Sequence, residues 1–398
     1  MTLDRAPWEE PHVTQSNPPT PPKRLVDRDV HGHTPRGPWA EVAEAQWSDW
    51  RWQQRNRLTS LTDFEGLISL TDGERAAFEA CSDRFRVAVT PYYATLMSPD
   101  DPSCPIRRQA LPQPEELEPH PEDRLDPLGE EAYMPVPGLT HRYPDRALLY
   151  VTHHCPVYCR HCTRKRKVSD PSSTLAKRQL DTAIGYLRDH PEVRDVLISG
   201  GDPLTLSDDR LAAIVAALTE IPHIEVLRLC TRNPVTLPSR LTDDLLDKLA
   251  PYQPLLIHTH FNHPAECTPE AARCLRRLAD RGFSVANQMV LLRGINDDAE
   301  RVREVNHWLL RQRCRPYYLF QADLAEGVSH FRTPIETGVE IIRALRGHTS
   351  GMAVPHFVVD APGGGGKIPL VPEYVTGRDD DHLIFENYAG DTYRYPLR

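Results

Sequence analysis

The chain is short of lysine. Only 6 of its 47 basic residues are lysine, and the other 41 are arginine. We attribute the surplus of arginine, proline and alanine to a GC-rich genome rather than to a function. The shortage is useful, because a lysine in a motif-like context stands out more here than in an average protein.

Long apolar runs are also missing. No run of about 18 apolar residues occurs, which is the length that a membrane-spanning helix needs. The N-terminus, MTLDRAPWEEPHV, has no apolar core of the kind found in secretory signals. The sequence therefore predicts a cytoplasmic protein with no membrane partner.

A surplus of positive charge is absent as well. The net charge of −9 argues against a nucleic-acid partner, and the 39% hydrophobic and 26% charged residues fit a globular enzyme. One α/β barrel with extensions can account for 398 residues. Disulfides are not expected among nine cysteines in a cytoplasmic chain, so a tight cluster of them predicts metal ligands.

Three cysteines do stand close together. Cys155, Cys159 and Cys162 form Cys-x-x-x-Cys-x-x-Cys in VTHHCPVYCRHCTRK. Three thiolates can hold three irons of a [4Fe–4S] cluster and leave the fourth iron open to a non-protein ligand. Zinc sites usually add a second cysteine pair further along the chain. Three unrelated buried cysteines, or a zinc knuckle that includes His154 and His161, remain the alternatives.

The chain divides into four predicted parts. Residues 1–40 contain NPPTPPKR, lack apolar periodicity and are predicted to be a flexible arm. Residues 41–132 space their apolar positions at three and four, which predicts a helical extension. Residues 133–350 are the predicted barrel core, and residues 351–398 are predicted to be a lysine-bearing loop and a short C-terminal β tail.

The barrel prediction rests on six β-α repeats about 30 residues apart. Strands are predicted at 147–153, 195–201, 225–232, 255–261, 284–292 and 316–323. Helices are predicted near 174–190, 208–220, 241–250, 268–281, 297–312 and 335–346. The expected fold class is α/β, with a partial (βα)6 barrel whose lateral gap the C-terminal tail closes.

The second predicted strand ends in a Gly-Gly-Asp turn, at the barrel face where active sites of this fold class lie. The turn comprises Ser199, Gly200, Gly201 and Asp202. Glycines let a ligand approach the backbone closely, and an aspartate can accept its hydrogen bonds. Gly-Gly-Asp is also an ordinary turn, but one β-α unit after the cysteines it is a candidate for binding the amino group of S-adenosylmethionine (SAM).

A second strong motif is Asp360-Ala-Pro-Gly-Gly-Gly-Gly-Lys367, which contains the only lysine after residue 248. It is not a P-loop, because the spacing differs and Ile368 replaces the hydroxyl residue. A lysine on a glycine hinge suits an amine that forms and exchanges a Schiff base with pyridoxal phosphate (PLP). A flexible linker with a surface lysine is the alternative.

Charged residues complete the candidate site. Asp323, which ends the sixth strand, and Asp360 are expected at the barrel mouth, where two carboxylates can hold a cationic group. Either can instead cap a helix or form a turn. Arg142 and Arg146, just before the first strand, are candidate phosphate ligands. The neighbouring strands add His260 and Gln288 at the same face.

These motifs together resemble the lysine 2,3-aminomutase family of radical SAM enzymes, over about residues 40–395. The matching segments include WQQRNRL, VPGLTHRYPDR, YCRHCTRKR, VRDVLISGGD, THFNHP, NQMVLLRGIND, RPYYLFQADL and VVDAPGGGGK. The resemblance implies a radical SAM barrel, a [4Fe–4S] cluster on Cys155, Cys159 and Cys162, and a PLP Schiff base on Lys367.

The resemblance also implies a substrate. Arg164 is expected to contact the substrate carboxylate, and Asp323 and Asp360 to hold a distal cationic group. Relatives that act on glutamate replace those two aspartates, so a basic L-amino acid is favoured. We expect conversion of L-lysine to β-lysine, with the same reaction on L-arginine as the alternative.

The resemblance has limits and further implications. The chain ends at Arg398 without the cysteine-rich segment that binds structural zinc in some members, and only Cys274 matches, so zinc is not expected. An external one-electron reductant of the flavodoxin or ferredoxin type and a homo-oligomer are expected. A non-catalytic iron–sulfur protein is the alternative from another class, and Lys367 argues against it.

Overall fold

The computed structural model describes residues 37–81, 84–168 and 176–398, and a nine-stranded sheet is its main feature. The strands follow one another in chain order across the sheet. They are β1 (Leu139–Tyr143), β2 (Arg146–Thr152), β3 (Asp195–Gly200), β4 (Val226–Cys230), β5 (Leu255–Thr259), β6 (Ser284–Leu291), β7 (Cys314–Gln321), β8 (His356–Ala361) and β9 (Gly366–Pro369). Strands β2 to β8 run parallel, and β1 and β9 pair antiparallel at the two ends.

Helices connect the parallel strands, as β-α repeats require. They are α7 (Lys177–Asp189), α8 (Asp208–Thr219), α9 (Asn233–Thr236), α10 (Asp243–Leu249), α11 (Pro269–Asp280), α12 (Ala299–Arg311) and α13 (Ile335–Leu345). Four of these helices begin after a residue whose side chain accepts a hydrogen bond from the first turn, which satisfies an otherwise free N–H group. The capping residues are Ser207, Thr242, Thr268 and Asp298.

Short helices precede the sheet. They are α1 (Glu44–Trp47), α2 (Trp50–Arg55), α3 (Leu61–Phe64), α4 (Asp72–Cys81), α5 (Pro91–Thr95) and α6 (Pro105–Ala110). Their buried side chains, such as Phe64 and Tyr93, belong to the same apolar core as Leu149 and Leu229 of the sheet. The extension predicted over residues 41–132 is therefore helical in part, and it shares the core of the barrel.

All six predicted strands are present, and the sheet adds a seventh parallel strand. That strand is β8, which the predicted boundary at residue 351 assigns to the closing segment together with β9. Beyond them, β10 (Val375–Arg378), β11 (His382–Glu386) and β12 (Thr392–Pro396) form a second, antiparallel sheet. The tail expected to close the barrel as edge strands thus pairs with itself instead.

Two predictions fall partly or wholly on residues outside the described ranges. The predicted flexible arm, residues 1–40, lies outside them except for its last four residues. The predicted helix 174–190 is described from Lys177 onwards. Among the described residues, no helix is both long and apolar enough to cross a membrane.

Candidate active site

The loop that carries the three cysteines, residues 153–168, directly follows β2 and is called the cysteine loop below. Residues of the N-terminal extension form hydrogen bonds with it. Tyr158 N donates to the carbonyl of Ala88 at 2.9 Å, and Arg160 N donates to the carbonyl of Gln109 at 2.8 Å. Arg57 Nη1 donates to the carbonyl of Cys155 at 2.7 Å. The backbone of the loop is thus fixed by side chains and carbonyls that are distant in sequence.

A buried carboxylate also anchors this loop. Glu116 is fully buried and accepts hydrogen bonds from Arg160 Nη2 at 2.5 Å and from Lys165 Nζ at 2.6 Å. Burial lowers the pKa of Lys165 to about 8, although the Glu116 carboxylate opposes that shift. Lys165 is therefore a buried cation that helps to anchor the loop.

Close packing against a neighbouring part of the backbone requires both glycines of the Gly-Gly-Asp turn. A Cβ on Gly200 would lie 2.2 Å from the carbonyl oxygen of Thr152, and one on Gly201 would lie 2.4 Å from that of His154. The end of β3 therefore packs directly on the backbone that starts the cysteine loop. The sequence predicts a close approach by a ligand at these glycines, and the close approach in the structure is to the loop.

Asp202 links this turn to the next strand. Its buried carboxylate accepts hydrogen bonds from Thr231 Oγ1 at 2.8 Å, from Arg232 N at 2.8 Å and from Leu204 N at 3.0 Å. Burial raises the pKa of Asp202 despite these bonds. The side chain predicted to bind SAM thus also fixes the ends of β3 and β4 relative to each other.

Arg232, which follows β4, contacts the cysteine loop at a sulfur atom. Its Nη1 donates to Cys159 Sγ at 2.7 Å. The same guanidinium donates to Glu266 Oε1 at 2.7 Å and to Gln109 Oε1 at 2.7 Å. A buried cation is therefore placed beside one of the three candidate ligands.

The three thiols fit an iron–sulfur cluster chemically. Burial raises the pKa of Cys162 to about 11 and raises the pKa of Cys155 well above its ordinary value, and the neighbouring thiols add to both shifts. The three groups thus lie close enough to interact. No three His, Cys, Asp or Glu side chains within the described ranges are spaced to hold one metal ion. In a [4Fe–4S] cluster each thiolate binds a different iron, so a single-ion geometry is not required.

Lys367 lies in a second group of charged residues, on β9. Its Nζ contacts the carboxylate of Asp360 at 3.0 Å, and its backbone N donates to Tyr143 Oη at 3.0 Å. The guanidinium groups of Arg142 and Arg146 lie over the ring of Tyr143, at 4.9 and 4.4 Å from its centroid. The predicted Schiff-base lysine and the two predicted phosphate ligands therefore meet around one tyrosine.

This second group fits PLP by its chemistry. A lysine amine can bind an aldehyde, and two arginines beside it can bind a phosphate. The glycine run also packs closely, since a Cβ on Gly364 would lie 2.4 Å from the ring of Tyr133. The alternative of a flexible linker with a surface lysine therefore does not describe this segment, in which Lys367 is paired and partly buried.

The two predicted substrate carboxylates lie near each other. Burial and the neighbouring Asp360 raise the pKa of Asp323 to about 6. Asp360 is itself paired with Lys367 and lies 3.4 Å from Arg142 Nη2. Cations of the chain therefore pair with Asp360 only. Asp323 has no ion-pair partner within the described residues.

Arg164, the predicted ligand of a substrate carboxylate, already contacts a carboxylate. Its Nη2 donates to Glu130 Oε1 at 2.6 Å and its Nε donates to the same atom at 3.0 Å. Burial alone would raise the pKa of Glu130, but Arg164 outweighs it and lowers the pKa to about 2. Arg164 can bind a further carboxylate only with its remaining N–H groups or by releasing Glu130.

His260 directly follows β5, and Gln288 lies on the neighbouring strand β6. Burial lowers the pKa of His260 to about 3, so its imidazole is neutral at physiological pH. Gln288 Nε2 lies 3.1 Å from His258 Nδ1. Cys274, the single match to the zinc ligands of relatives, is buried in the apolar core on α11.

The sequence missed four residues that complete these groups. They are Glu116, Glu130, Tyr143 and Arg232. Arg232 and Tyr143 stood at strand ends, in LCTRNP and HRYPDR, and position alone could have indicated them. Glu116 and Glu130 lie 44 and 34 residues from the arginines that they bind in the cysteine loop, so no local signal indicated these contacts.

A cavity of about 730 Å³ lies apart from these groups. It is lined by polar and charged side chains that include Arg108, Arg293, Arg332 and His330. None of the candidate site residues lines it. Cys159 and Cys162 instead border a narrow opening beside Arg86 and Tyr158.

Two family models match the chain. Residues 149–305 match the model described as "Radical SAM superfamily", which covers the cysteine loop and strands β3 to β6. Residues 342–397 match the model described as "Lysine-2,3-aminomutase", which covers the glycine run and Lys367.

Curated relatives match over most of the chain. An L-lysine 2,3-aminomutase of Clostridium subterminale is 49% identical over 90% of this chain and 86% of its own length. An L-lysine 2,3-aminomutase of Bacillus subtilis is 48% identical over 90% of this chain and 76% of its own. A glutamate 2,3-aminomutase of Clostridioides difficile is 43% identical over 87% of this chain and 82% of its own.

Proposed function

Because the chain belongs to the lysine 2,3-aminomutase family of radical SAM enzymes, it is an amino acid 2,3-aminomutase, an isomerase, and we propose that it converts L-lysine to β-lysine. The observation that supports lysine most directly is the pair of acids formed by Asp323 and Asp360 beside Lys367. A distal ammonium group of the substrate would give Asp323 the cationic partner that only Asp360 has within the described residues.

The family implies an iron–sulfur cluster and SAM. We propose Cys155, Cys159 and Cys162 as the cluster ligands. When bound, the cluster and SAM supply the radical that removes a hydrogen atom from the substrate. The chain's own residues fix the loop through Glu116 and place the Arg232 cation at one sulfur.

PLP is the third cofactor that we propose, and zinc is not part of the proposal. Lys367 would bind its aldehyde, and Arg142 and Arg146 would bind its phosphate. When bound, PLP allows the α-amino nitrogen to move to the adjacent carbon. The other predicted cofactor contacts, which we retain in the proposal, are Ser199, Gly200, Gly201, Asp202, His260 and Gln288.

Substrate orientation follows from charge. Arg164 would bind the α-carboxylate, and Asp323 and Asp360 would bind the distal cation. Asp360 now pairs with Lys367 at 3.0 Å. To hold the substrate cation, Asp360 would have to release Lys367 or share its carboxylate between Lys367 and the substrate. The same acids would also accept a guanidinium in forked hydrogen bonds, which keeps L-arginine as the second candidate.

The site must also exclude water while a radical is present. Buried neutral His260 and the apolar core around the strands provide such surroundings. An external one-electron reductant of the flavodoxin or ferredoxin type, a homo-oligomer and a cytoplasmic location stay predictions.

An anaerobic competition assay tests the proposed substrate. The reconstituted protein would receive SAM, PLP and dithionite, with L-lysine, L-arginine and L-glutamate present together. Derivatised products would be separated by chromatography and identified by mass. We expect β-lysine as the main product.

Each other outcome has a definite meaning. β-Arginine as the main product would replace lysine by the second candidate and leave the role of the two acids intact. β-Glutamate would contradict the role of Asp323 and Asp360. Release of deoxyadenosine without any β-amino acid would show that the substrate is not a free amino acid of these three types.

A further inference from the structure

Arg232 lies between two acidic groups at the carboxyl ends of the strands. Its Nη1 donates to Cys159 Sγ at 2.7 Å, and its Nη2 donates to Glu266 Oε1 at 2.7 Å. The side chain of Arg232 is 10% exposed and that of Glu266 is fully buried. Water is therefore largely excluded from the pair formed by Arg232 and Glu266, which strengthens that interaction.

The guanidinium is held rigidly in this position. Its Nε donates to the carbonyl of His260 at 3.2 Å, and its Nη2 also donates to Gln109 Oε1 at 2.7 Å. Its backbone N donates to Asp202 at 2.8 Å. A side chain fixed by this many partners cannot turn away from the sulfur without leaving buried acceptors unsatisfied.

Glu266 supports the arginine and not the cysteine. Its Oε1 also accepts hydrogen bonds from Tyr93 Oη at 2.9 Å and from Gln109 Nε2 at 3.1 Å, and its Oε2 accepts one from Asn262 N at 2.6 Å. The carboxylate is thus fully satisfied without the cysteine loop. It fixes the charge of Arg232 next to Cys159, and burial of Arg232 does not neutralise the guanidinium.

We propose that Arg232 sets the reduction potential of the iron–sulfur cluster by donating a charged hydrogen bond to the sulfur of Cys159. The inference rests on the proposed function, in which Cys159 is a cluster ligand. Reduction adds negative charge to the cluster, and a positive hydrogen-bond donor at a ligand sulfur stabilises that state. Arg232 thereby makes the cluster easier to reduce, and it acts through Cys159 rather than on the substrate.

A redox titration of the cluster without SAM or amino acid tests this role. The reconstituted wild type and the variants Arg232→Gln and Arg232→Lys would be titrated anaerobically, with the reduced cluster followed by electron paramagnetic resonance. We expect a more negative midpoint potential in Arg232→Gln. We expect a smaller negative shift in Arg232→Lys, which keeps the charge and loses the guanidinium fork.

Arg57→Gln is the matched control. Arg57 also lies beside the loop, but its Nη1 donates to the carbonyl oxygen of Cys155 and not to a sulfur. Removal of Arg57 tests the loss of a nearby positive charge without the loss of a hydrogen bond to a sulfur atom that binds the cluster. We expect a shift smaller than that of Arg232→Gln.

The outcomes separate this inference from the proposed function. A wild type that binds no cluster would overturn the proposed function itself. Arg232→Gln could fail to bind iron because Glu266 is left without its cation. In that case the midpoint potential of Arg232→Lys, which keeps the charge, decides whether Arg232 sets the potential. A variant with the wild-type iron content and an unchanged potential would refute the role of Arg232. If the potential is unchanged and a separate titration of the same variant with SAM shows weaker binding, the role in the potential is refuted and Arg232 is a SAM ligand instead.

Discussion

At the scale of single residues, the pKa of a carboxylate in the site depends on whether a cation is paired with it. Asp323 has a pKa raised to about 6, because it is buried and faces Asp360. Glu130, which is also shielded from water, has a pKa lowered to about 2 because Arg164 is its partner. The difference between the two acids is the presence of a cation, which a basic substrate would supply to Asp323.

The first residue-scale prediction concerns pH. Lysine should bind the ionised form of Asp323, so kcat/KM should rise as the pH increases through about 6. Asp323→Asn should remove this step and raise KM about 10- to 100-fold, the expected loss for one charge-assisted hydrogen bond. Steady-state rates between pH 5 and 8 check both effects. A variant that keeps the step would assign it to another group.

The second residue-scale prediction concerns the covalent attachment of PLP to Lys367. Lys367→Ala should abolish the PLP that borohydride fixes covalently to the protein, because Lys367 is the amine that lies beside Asp360 and Tyr143 in the proposed PLP site. Lys248→Ala is the control, since Lys248 is exposed and pairs with Asp209. Absorbance and peptide mass would measure fixed PLP. Equal labelling of Lys367→Ala and the wild type would show that another lysine binds the cofactor.

At the scale of elements, the ends of neighbouring strands determine where the loops can lie. Strand β3 ends at Gly200, and Gly201 follows it. Both positions are glycine because the cysteine loop after β2 crosses directly over them. A side chain at Gly201 would meet the carbonyl oxygen of His154 at 2.4 Å. A turn that resembles a ligand-binding motif is thus also a requirement of packing between two β-α units.

The element-scale prediction compares two glycines. Gly201→Ala should force the cysteine loop to move and cost about 1–3 kcal/mol of folding free energy, the usual cost of overpacking. It should also reduce iron bound per chain. Gly185→Ala, in helix α7 with nothing within 4 Å of a new Cβ, should instead stabilise by about 0.5–1 kcal/mol. Urea unfolding and iron analysis measure both, and normal iron binding by Gly201→Ala would contradict the packing role.

At the scale of the whole molecule, the N-terminal extension and the barrel behave as one structure. Glu116 belongs to the extension, and its partners Arg160 and Lys165 belong to the cysteine loop. The apolar side chains of both parts form one core. The predicted division at residue 133 therefore separates segments that share buried ion pairs.

The corresponding prediction is a loss of stability on removing one charge. Glu116→Gln should leave Arg160 and Lys165 buried without their carboxylate, which costs about 3–5 kcal/mol. It should also lower cluster content, because the loop loses its anchor. Glu115→Gln is the control, since that neighbour is exposed. Urea unfolding with iron analysis decides, and equal stability of the two variants would contradict the anchoring role.

The sequence determined the parts of the molecule that depend on local pattern. Alternating apolar runs and helices gave the six β-α units, because their periodicity is a local property of the chain. The spacing of the cysteines indicated a cluster, and the four glycines drew attention to Lys367. Family resemblance then indicated the reaction, and the comparisons confirmed the family.

Tertiary structure alone decided the charge partners and the sheet edges. Glu116 pairs with Arg160, and Arg232 reaches Cys159, across 44 and 73 residues of sequence. Such contacts arise where strand ends and loops meet in space, so sequence spacing does not predict them. The tail β10 to β12 pairs with itself rather than with the barrel, because β8 and β9 already occupy that edge of the main sheet.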